Sequence, residues 1–150
     1  MPSCHVKVLN HSGRELTTLV MWHTPSLPDP LDVAMNRTII NYPGLPNQQW
    51  VEVVVRITHS PTDFWICGVR FADDDANYVL CGRTDLPFKE FEVSDGSSLT
   101  FIIPPYEQED PLAQRWVEMQ YSEGDGGMAK LLNVKYAGAM TLIEAILEVV

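Results

Sequence analysis

Basic residues, cysteines and long apolar runs are scarce in this 150-residue sequence, and each shortage excludes a class of protein. Ten Lys and Arg stand against twenty Asp and Glu, giving a formal net charge of -10 that repels phosphate backbones, so we expect no nucleic-acid partner. The three cysteines include no CxxC pair, which argues against a disulfide framework and a zinc knuckle. No apolar run approaches the roughly 20 residues that span a bilayer, so no integral membrane segment is expected.

Motifs of the common cofactor-dependent enzymes are missing as well. The sequence has no GxxxxGK[ST] or GxGxxG phosphate loop, no GxSxG elbow and no HExxH zinc motif. The acidic run Asp73-Asp74-Asp75 lacks the glycine and the distant Glu of a calcium loop. We therefore expect no metal and no cofactor. No basic start with a following apolar stretch is recognisable at the N-terminus, which predicts a cytoplasmic location.

What the sequence does contain is an alternation of apolar and polar residues with a period of two, which is typical of β-strands. In residues 50–59, one parity is apolar and includes Val51 and Val53, while the other is mostly polar but begins with Trp50. The segments with strand character are 6–10, 15–23, 37–42, 50–59, 64–71, 78–81, 88–93, 99–103, 116–121 and 128–136.

Turns rich in Asn, Asp, Gly and Ser separate these segments, with no amphipathic helix between them. We predict an all-β fold, a single antiparallel β-sandwich of about nine strands over residues 1–140. Two proline-rich connections, residues 24–30 and 104–111, are expected to run outside the sheets as rigid walls for a binding site.

The last ten residues change to helical spacing. Residues 141–150 predict a short C-terminal helix with an apolar stripe that includes Leu142, Ile146 and Val150, an edge strand being the alternative. A helix this short needs a partner for its apolar face, either the sandwich or a second chain. Because the stripe is larger than docking on the sandwich requires, we expect a homodimer.

Three segments carry a family resemblance: VKVLNHSGREL at 6–16, LVMWH at 19–23, and DFWICGVRF at 63–71 with its following acidic turn and Tyr78. They resemble a family of small eukaryotic β-sandwich domains, also found in fungi, named for being up-regulated in long-lived nematode daf mutants. They are distantly similar to the aegerolysins, fungal lipid-binding sandwiches with a V-x-N-x-(S/T)-G pattern. The resemblance covers roughly residues 5–103. It implies a sandwich fold and, on the aegerolysin side, recognition of membrane lipid by aromatic residues at one end.

Three residues are candidates for acid–base chemistry. His23 and His59 each end a predicted strand on its apolar parity, and Asp63 follows His59 by four residues. If the two strands are neighbours, both imidazoles and the carboxylate converge at one end of the sandwich. A carboxylate fixes the tautomer of an adjacent histidine and raises its basicity. The alternative is that each histidine is a satisfied strand-end residue and that Asp63 caps its turn.

Five aromatic residues are candidates for lining a pocket for a flat apolar ligand. They are Trp22, Tyr42, Trp50, Trp65 and Tyr78. Burial in the core is the alternative for most of them. Trp22 and Trp50 lie on the parity opposite to the main apolar face of their strands, so we expect both on a solvent-facing side, where a tryptophan often marks an interface.

Together these features predict a cofactor-independent β-sandwich that binds a small apolar or lipid-like ligand, or a protein partner, at one end. The alternative is a small cofactor-free enzyme, an isomerase or cyclase, in which His23, His59 or Asp63 moves a proton within an aromatic pocket. A purely structural oligomerising module is a third reading, resting on the C-terminal segment alone.

Overall fold

The structure is a computed structural model that describes residues 2–24, 38–57, 63–82, 88–106 and 115–133. In this part of the chain every regular element is a β-strand. The strands are β1 (Ser3–Asn10), β2 (Leu16–Thr24), β3 (Thr38–Tyr42), β4 (Trp50–Arg56), β5 (Phe64–Phe71), β6 (Tyr78–Cys81), β7 (Lys89–Glu90), β8 (Ser97–Ile103), β9 (Arg115–Tyr121) and β10 (Gly124–Asn133). The all-β prediction is confirmed, whereas the predicted helix at 141–150 lies outside the described residues.

All ten strands belong to one hydrogen-bonded sheet. Its order is β3-β2-β5-β6-β10-β9-β8-β1-β4, with β7 paired to β5. Every described pairing is antiparallel except β1 with β8, which is parallel. The two edge strands, β3 and β4, follow each other in the chain, and Leu45 between them pairs with Leu16 at the start of β2. The sheet is therefore nearly closed around its interior, and the hydrogen bonding does not divide it into two separate sheets.

The inner face of the sheet encloses one hydrophobic core. Alternation along β8 buries Leu99, Phe101 and Ile103, while the residues between them are at least partly exposed. Trp65 from β5 packs beside Phe101, with 5.8 Å between the ring centroids. Fully burying an aliphatic or aromatic side chain contributes roughly 1.5–3 kcal/mol, so this interior supplies most of the folding energy. Among the residues described, no helix has the length and apolarity needed to cross a membrane.

The strand that faces residues 64–65 is much shorter than the sequence predicts. Residues 88–93 have strand character, but only Lys89–Glu90 pairs with β5. The backbone N–H of Val93 instead donates to the Asp63 carboxylate at 3.1 Å. The Asp63 side chain thus accepts the backbone N–H that would bond to a neighbouring strand in a regular sheet.

Around Trp22 and Ile66, β2 and β5 are buried on both faces, which overturns the prediction that Trp22 faces solvent. Val20, Trp22 and Ile66 form a second apolar cluster on the outer face, and Phe88 packs against it. Trp22 is 0% exposed. Strand parity identifies the face on which a side chain lies but does not reveal whether that face is covered. Trp50, by contrast, is exposed as predicted.

Candidate functional site

The candidate sites lie at opposite ends of the sheet. We name these ends after β1: the Cys4 end, where β1 begins and β2 ends, and the Asn10 end, where β1 ends and β2 begins. The Cys4 end holds a buried histidine–carboxylate pair, and the Asn10 end carries an open groove on the outer face of the sheet.

At the Cys4 end, His23 and Asp63 are in direct contact. His23 lies on the inner face near the end of β2, opposite Trp65, and Asp63 immediately precedes β5. The His23 Nε2 and Asp63 Oδ1 atoms are 2.6 Å apart, and both residues are almost fully buried. The sequence prediction that Asp63 lies near one of the two histidines is confirmed for His23, and His59 lies outside the described residues.

The Asp63 carboxylate is held in place by the backbone of residues 91–93. The carboxylate oxygen Oδ2 accepts the Val93 N–H at 3.1 Å. The backbone carbonyl of Asp63 accepts the Phe91 N–H at 2.9 Å. A carboxylate with both oxygens engaged cannot rotate freely. It therefore fixes the orientation of the imidazole that it contacts.

The imidazole of His23 has a hydrogen-bond partner among the described residues only at its Nε2 atom. Its ring packs against Trp65 with 4.5 Å between the centroids, and no hydrogen bond joins Nδ1 to any of the described residues. When Nε2 donates its proton to ionised Asp63, Nδ1 carries the free lone pair. A base in this arrangement can accept a proton while the carboxylate stabilises the resulting imidazolium.

The cysteine at this end is not activated. The Cys4 thiol is buried beside Ser97, whose Oγ lies 3.4 Å from the sulfur. Burial raises the pKa of Cys4 above its usual range, and the charge of Asp63 acts in the same direction. Burial likewise raises the pKa of Cys67 and Cys81 to about 12. All three cysteines are free, buried thiols and remain protonated at neutral pH.

The five aromatic residues predicted to line a pocket do not come together. Trp65 is buried at the Cys4 end, where its indole N–H donates to the Phe91 carbonyl at 2.9 Å. Tyr78 is buried at the Asn10 end, and Trp22 belongs to the outer cluster described above. Tyr42 and Trp50 are exposed, at 42% and 53%. Their strand positions distribute these side chains over different faces and both ends of the sheet.

The groove at the Asn10 end has a volume of about 380 Å³ and lies on the outer face. Apolar side chains form most of its lining, with three polar residues among them. The lining residues are His11, Gln48, Ile102, Pro104, Pro105, Trp116, Glu118 and Met128. Trp116 and Met128 are each 47% exposed and line the same groove, so their exposed apolar surfaces are grouped rather than scattered.

Strand register brings the groove residues together. Ile102 in β8 is opposite Glu118 in β9, and Glu118 is opposite Met128 in β10. This outward-facing row continues on the other side of Ile102 to Leu9 and then Trp50. Trp50, which the sequence singled out, is therefore on the same face as the groove but two strands beyond Ile102.

A polar network fixes the proline wall of the groove. The Tyr106 hydroxyl donates to Asp74 Oδ2 at 2.7 Å, and the Tyr106 N–H donates to the Ser12 carbonyl at 2.9 Å. The Arg14 guanidinium lies 4.0 Å from the centroid of the Tyr106 ring. Burial and the Asp74 contact raise the pKa of Tyr106 to about 12, so its hydroxyl stays protonated and donates throughout the neutral range.

The buried side chain of Asn10 fixes the turn that carries the groove residue His11. Its Nδ2 donates to the carbonyls of Arg14 and Leu45 at 2.7 and 3.1 Å, and its Oδ1 accepts from the Ser12 hydroxyl at 2.6 Å. The neighbouring His11 is tied to β8 by its N–H, which donates to the Ile103 carbonyl at 3.1 Å. The proline wall and the His11 turn are thus set by hydrogen bonds within the protein, and the groove is formed before any ligand binds.

Sequence reasoning missed most of this groove, although one signal was available. Trp116 lies on the polar parity of its strand, between the buried Arg115 and Val117. The same criterion that singled out Trp50 also applies to Trp116. Of the two proline-rich connections predicted to form walls, the structure describes Thr24 and residues 104–106, and Pro104 and Pro105 line the groove; residues 25–30 and 107–111 lie outside the described residues. The contributions of His11 and Gln48 depend on loop geometry.

Within the residues that the structure describes, no group of three or more His, Cys, Asp or Glu side chains is placed to hold a metal ion. No protein-family model matches the chain, and no curated protein sequence matches it at a significant level.

Proposed function

We propose that this protein binds a small apolar or lipid-like molecule in the outer groove at the Asn10 end. The observation that carries the proposal is a preformed groove of about 380 Å³ in which Trp116 and Met128 remain half exposed. Small-molecule sites typically occupy roughly 300–1,000 Å³ and are mostly apolar with a few polar groups. Covering these side chains with an apolar ligand removes their contact with water, which is favourable.

The polar residues of the groove suit a ligand with one hydrogen-bonding end. His11, Gln48 and Glu118 offer donors and acceptors beside an apolar floor. Such groups fix the orientation of a ligand whose affinity comes from apolar contact. Because the proline wall and the His11 turn are already fixed by the Tyr106 and Asn10 networks, little ordering cost is incurred on binding.

Several further assignments belong to the same proposal. The resemblance to the daf-associated domains and, distantly, to the fungal aegerolysins favours a lipid-like ligand. We also retain a two-layer sandwich arrangement of the sheet, a cytoplasmic location and a homodimer. These assignments are supported by the sequence patterns described above.

The test uses N-phenyl-1-naphthylamine, a neutral apolar probe whose fluorescence rises in apolar sites. We expect saturable binding to the wild type and binding weakened about tenfold or more in Trp116→Ala, since an aromatic anchor is lost. Trp50→Ala is the matched control, because Trp50 is exposed on the same face but does not line the groove. Equal affinity of the wild type and Trp116→Ala contradicts the proposal.

A second candidate function, acid–base catalysis by an isomerase or cyclase, is favoured by the 2.6 Å contact between His23 and Asp63. In this case His23 Nδ1 removes a proton from the substrate and Asp63 stabilises the imidazolium. Conversion of polyene or terpenoid-like compounds, followed by mass spectrometry, should fall about 100-fold or more in His23→Gln and persist in Trp116→Ala. Saturable binding with no conversion of any of these compounds argues against this function.

A further inference from the structure

Among the described strands, β4 is one of the two edges of the sheet, and the other edge strand, β3, precedes it in the chain. The only partner strand of β4 among the described residues is β1, and the hydrogen bonds to β1 alternate along it. Ile57 N–H donates to the Pro2 carbonyl, and Asn10 N–H donates to the Gln49 carbonyl, so the odd-numbered residues point their backbone groups at β1. Glu52, Val54 and Arg56 therefore direct their N–H and C=O groups to the unpaired side.

The composition of this edge favours association with another strand. Its sequence, WVEVVVR, consists largely of strong strand formers and contains no proline or glycine. Its pairing with β1 runs without a register shift, so no bulge twists the edge away. Natural edge strands are usually protected by prolines, bulges, charged side chains or a covering loop. Of these, β4 carries two charged side chains, Arg56 and Glu52, and Glu52 Oε1 lies 3.3 Å from His5 Nδ1 of the same chain. The Val54 side chain is 56% exposed in the middle of this edge.

We propose that a second copy of this chain docks on β4 by antiparallel strand addition around a two-fold axis at Val54. In this register Val54 is opposite its own counterpart. Glu52 of each copy is opposite Arg56 of the other, so two opposite-charge pairs flank the axis. A two-fold centred on Val53 sets Glu52 against Val54 and loses both pairs. Charge complementarity thus selects one occupant and one register.

Hydrogen-bond geometry agrees with this register. The residues that face one another, Glu52 with Arg56 and Val54 with Val54, are the ones whose backbone groups point away from β1. Each facing pair can exchange both of its backbone hydrogen bonds. The contact is isologous and closes on itself as a dimer. Most of the groove lining comes from β8, β9, β10 and the prolines after β8, although Gln48 lies two residues before β4. The dimer proposal specifies an interface for the homodimer named above and does not depend on ligand binding in the groove.

The first test exchanges charges across the axis. Glu52→Arg alone places Arg opposite Arg, and Arg56→Glu alone places Glu opposite Glu, so each variant should associate at least about tenfold more weakly than the wild type. An equimolar mixture restores opposite charges at both positions. We expect native mass spectrometry and sedimentation equilibrium to show a dimer for the wild type and a 1:1 heterodimer for the mixture. A monomeric wild type at micromolar concentration, or a mixture as weak as the single variants, overturns the proposal.

The second test removes a backbone donor. Val54→Pro eliminates an N–H that β1 does not use, and proline is tolerated at such edge positions. Association should weaken roughly tenfold or more, since two hydrogen bonds are lost across the axis, while Val54→Thr keeps the donor and should still dimerise. Circular dichroism checks that both variants fold. If Val54→Pro does not fold, the charge-exchange variants alone test the interface. A dimeric Val54→Pro, or oligomers that keep growing with concentration, contradicts a closed pair on β4.

Discussion

The Asp63 carboxylate makes two contacts at once: one oxygen contacts His23 Nε2 and orients the imidazole, and the other accepts the Val93 N–H. Both bonds are buried, and a buried partner left without its bond costs more than the bond itself contributes. The pair therefore stabilises the fold even if it takes no part in catalysis. A structural role of Asp63 predicts that its substitution lowers the free energy of unfolding, whereas a catalytic role predicts a loss of activity.

Asp63→Asn keeps the size of the side chain but replaces one acceptor with a donor. Either His23 or the Val93 N–H then faces an N–H group in place of an oxygen. We expect the free energy of unfolding to fall by about 1–3 kcal/mol, measured by urea denaturation. Because a neutral imidazole can change tautomer and accept from the Asn Nδ2, Asp63→Ala is the stricter variant. A loss below about 0.5 kcal/mol in Asp63→Ala, the range of ordinary surface substitutions, shows that the contact is not formed in solution.

Asp74 makes the free energy of unfolding depend on pH. Although burial opposes its ionisation, hydrogen bonds from Tyr106, the Ala76 N–H and Tyr78 lower its pKa below the ordinary value of 3.8. A carboxyl group with a lower pKa in the folded state stabilises the fold above its unfolded pKa, and this contribution is lost as the pH falls through the folded pKa.

The difference in unfolding free energy between the wild type and Asp74→Asn should therefore be constant above about pH 5 and shrink below about pH 4. Urea denaturation at a series of pH values measures it. A difference that stays constant into the acid range means that the Asp74 network does not form.

At the scale of single residues, the sequence predicts the convergence of His23 and Asp63 because both lie at strand termini. It does not predict that Trp22 is covered, because burial of an outer face depends on what packs over it. Trp65 and Tyr78 are recognisable as buried aromatics. Their separation depends on strand pairing, because Trp65 lies near the start of β5 whereas Tyr78, in β6, pairs with Val69 near the end of β5.

Individual strands are the best predicted level of this structure. β5 and β6 span Phe64–Phe71 and Tyr78–Cys81, as the alternation predicts, because their ends are marked by turn residues. β10 begins at Gly124, four residues before its predicted start. A β-bulge between Asp125 and Met128 accommodates the glycines that the sequence suggests as a turn. Nothing in a periodicity predicts that β1 and β8 pair in parallel.

The bulge in β10 predicts different effects of alanine at Gly126 and at Gly124, which belong to the same hairpin. A Cβ at Gly126 would lie 1.9 Å from the Met119 carbonyl oxygen, so Gly126→Ala forces the backbone to move. We expect a loss of about 1–3 kcal/mol in the free energy of unfolding. Gly124→Ala is the control, because a Cβ there meets nothing within 4 Å, and its effect should be small. Equal effects at the two positions contradict the described bulge.

For the whole molecule, one nearly closed sheet separates three features. The His23–Asp63 pair is buried at the Cys4 end, the groove is open at the Asn10 end, and β4 leaves an edge free of strand partners within the described residues. The period-two alternation predicts the all-β class, and the formal net charge of -10 disfavours binding to phosphate backbones. Neither feature predicts which loops meet at a sheet end, because that depends on long-range pairing.

The central claim, that a ligand binds in the outer groove, can be tested with the four tryptophans of the chain. Trp116 lines the groove, Trp50 is exposed beyond it, and Trp22 and Trp65 are buried elsewhere. Each indole N–H gives one signal in a ¹⁵N–¹H correlation spectrum, assigned by single substitutions. On titration with N-phenyl-1-naphthylamine, we predict a saturable shift of the Trp116 signal, with the Trp22 and Trp65 signals unchanged. A shift confined to Trp65, beside His23, or an unmoved Trp116 signal at saturation contradicts the groove as the binding site.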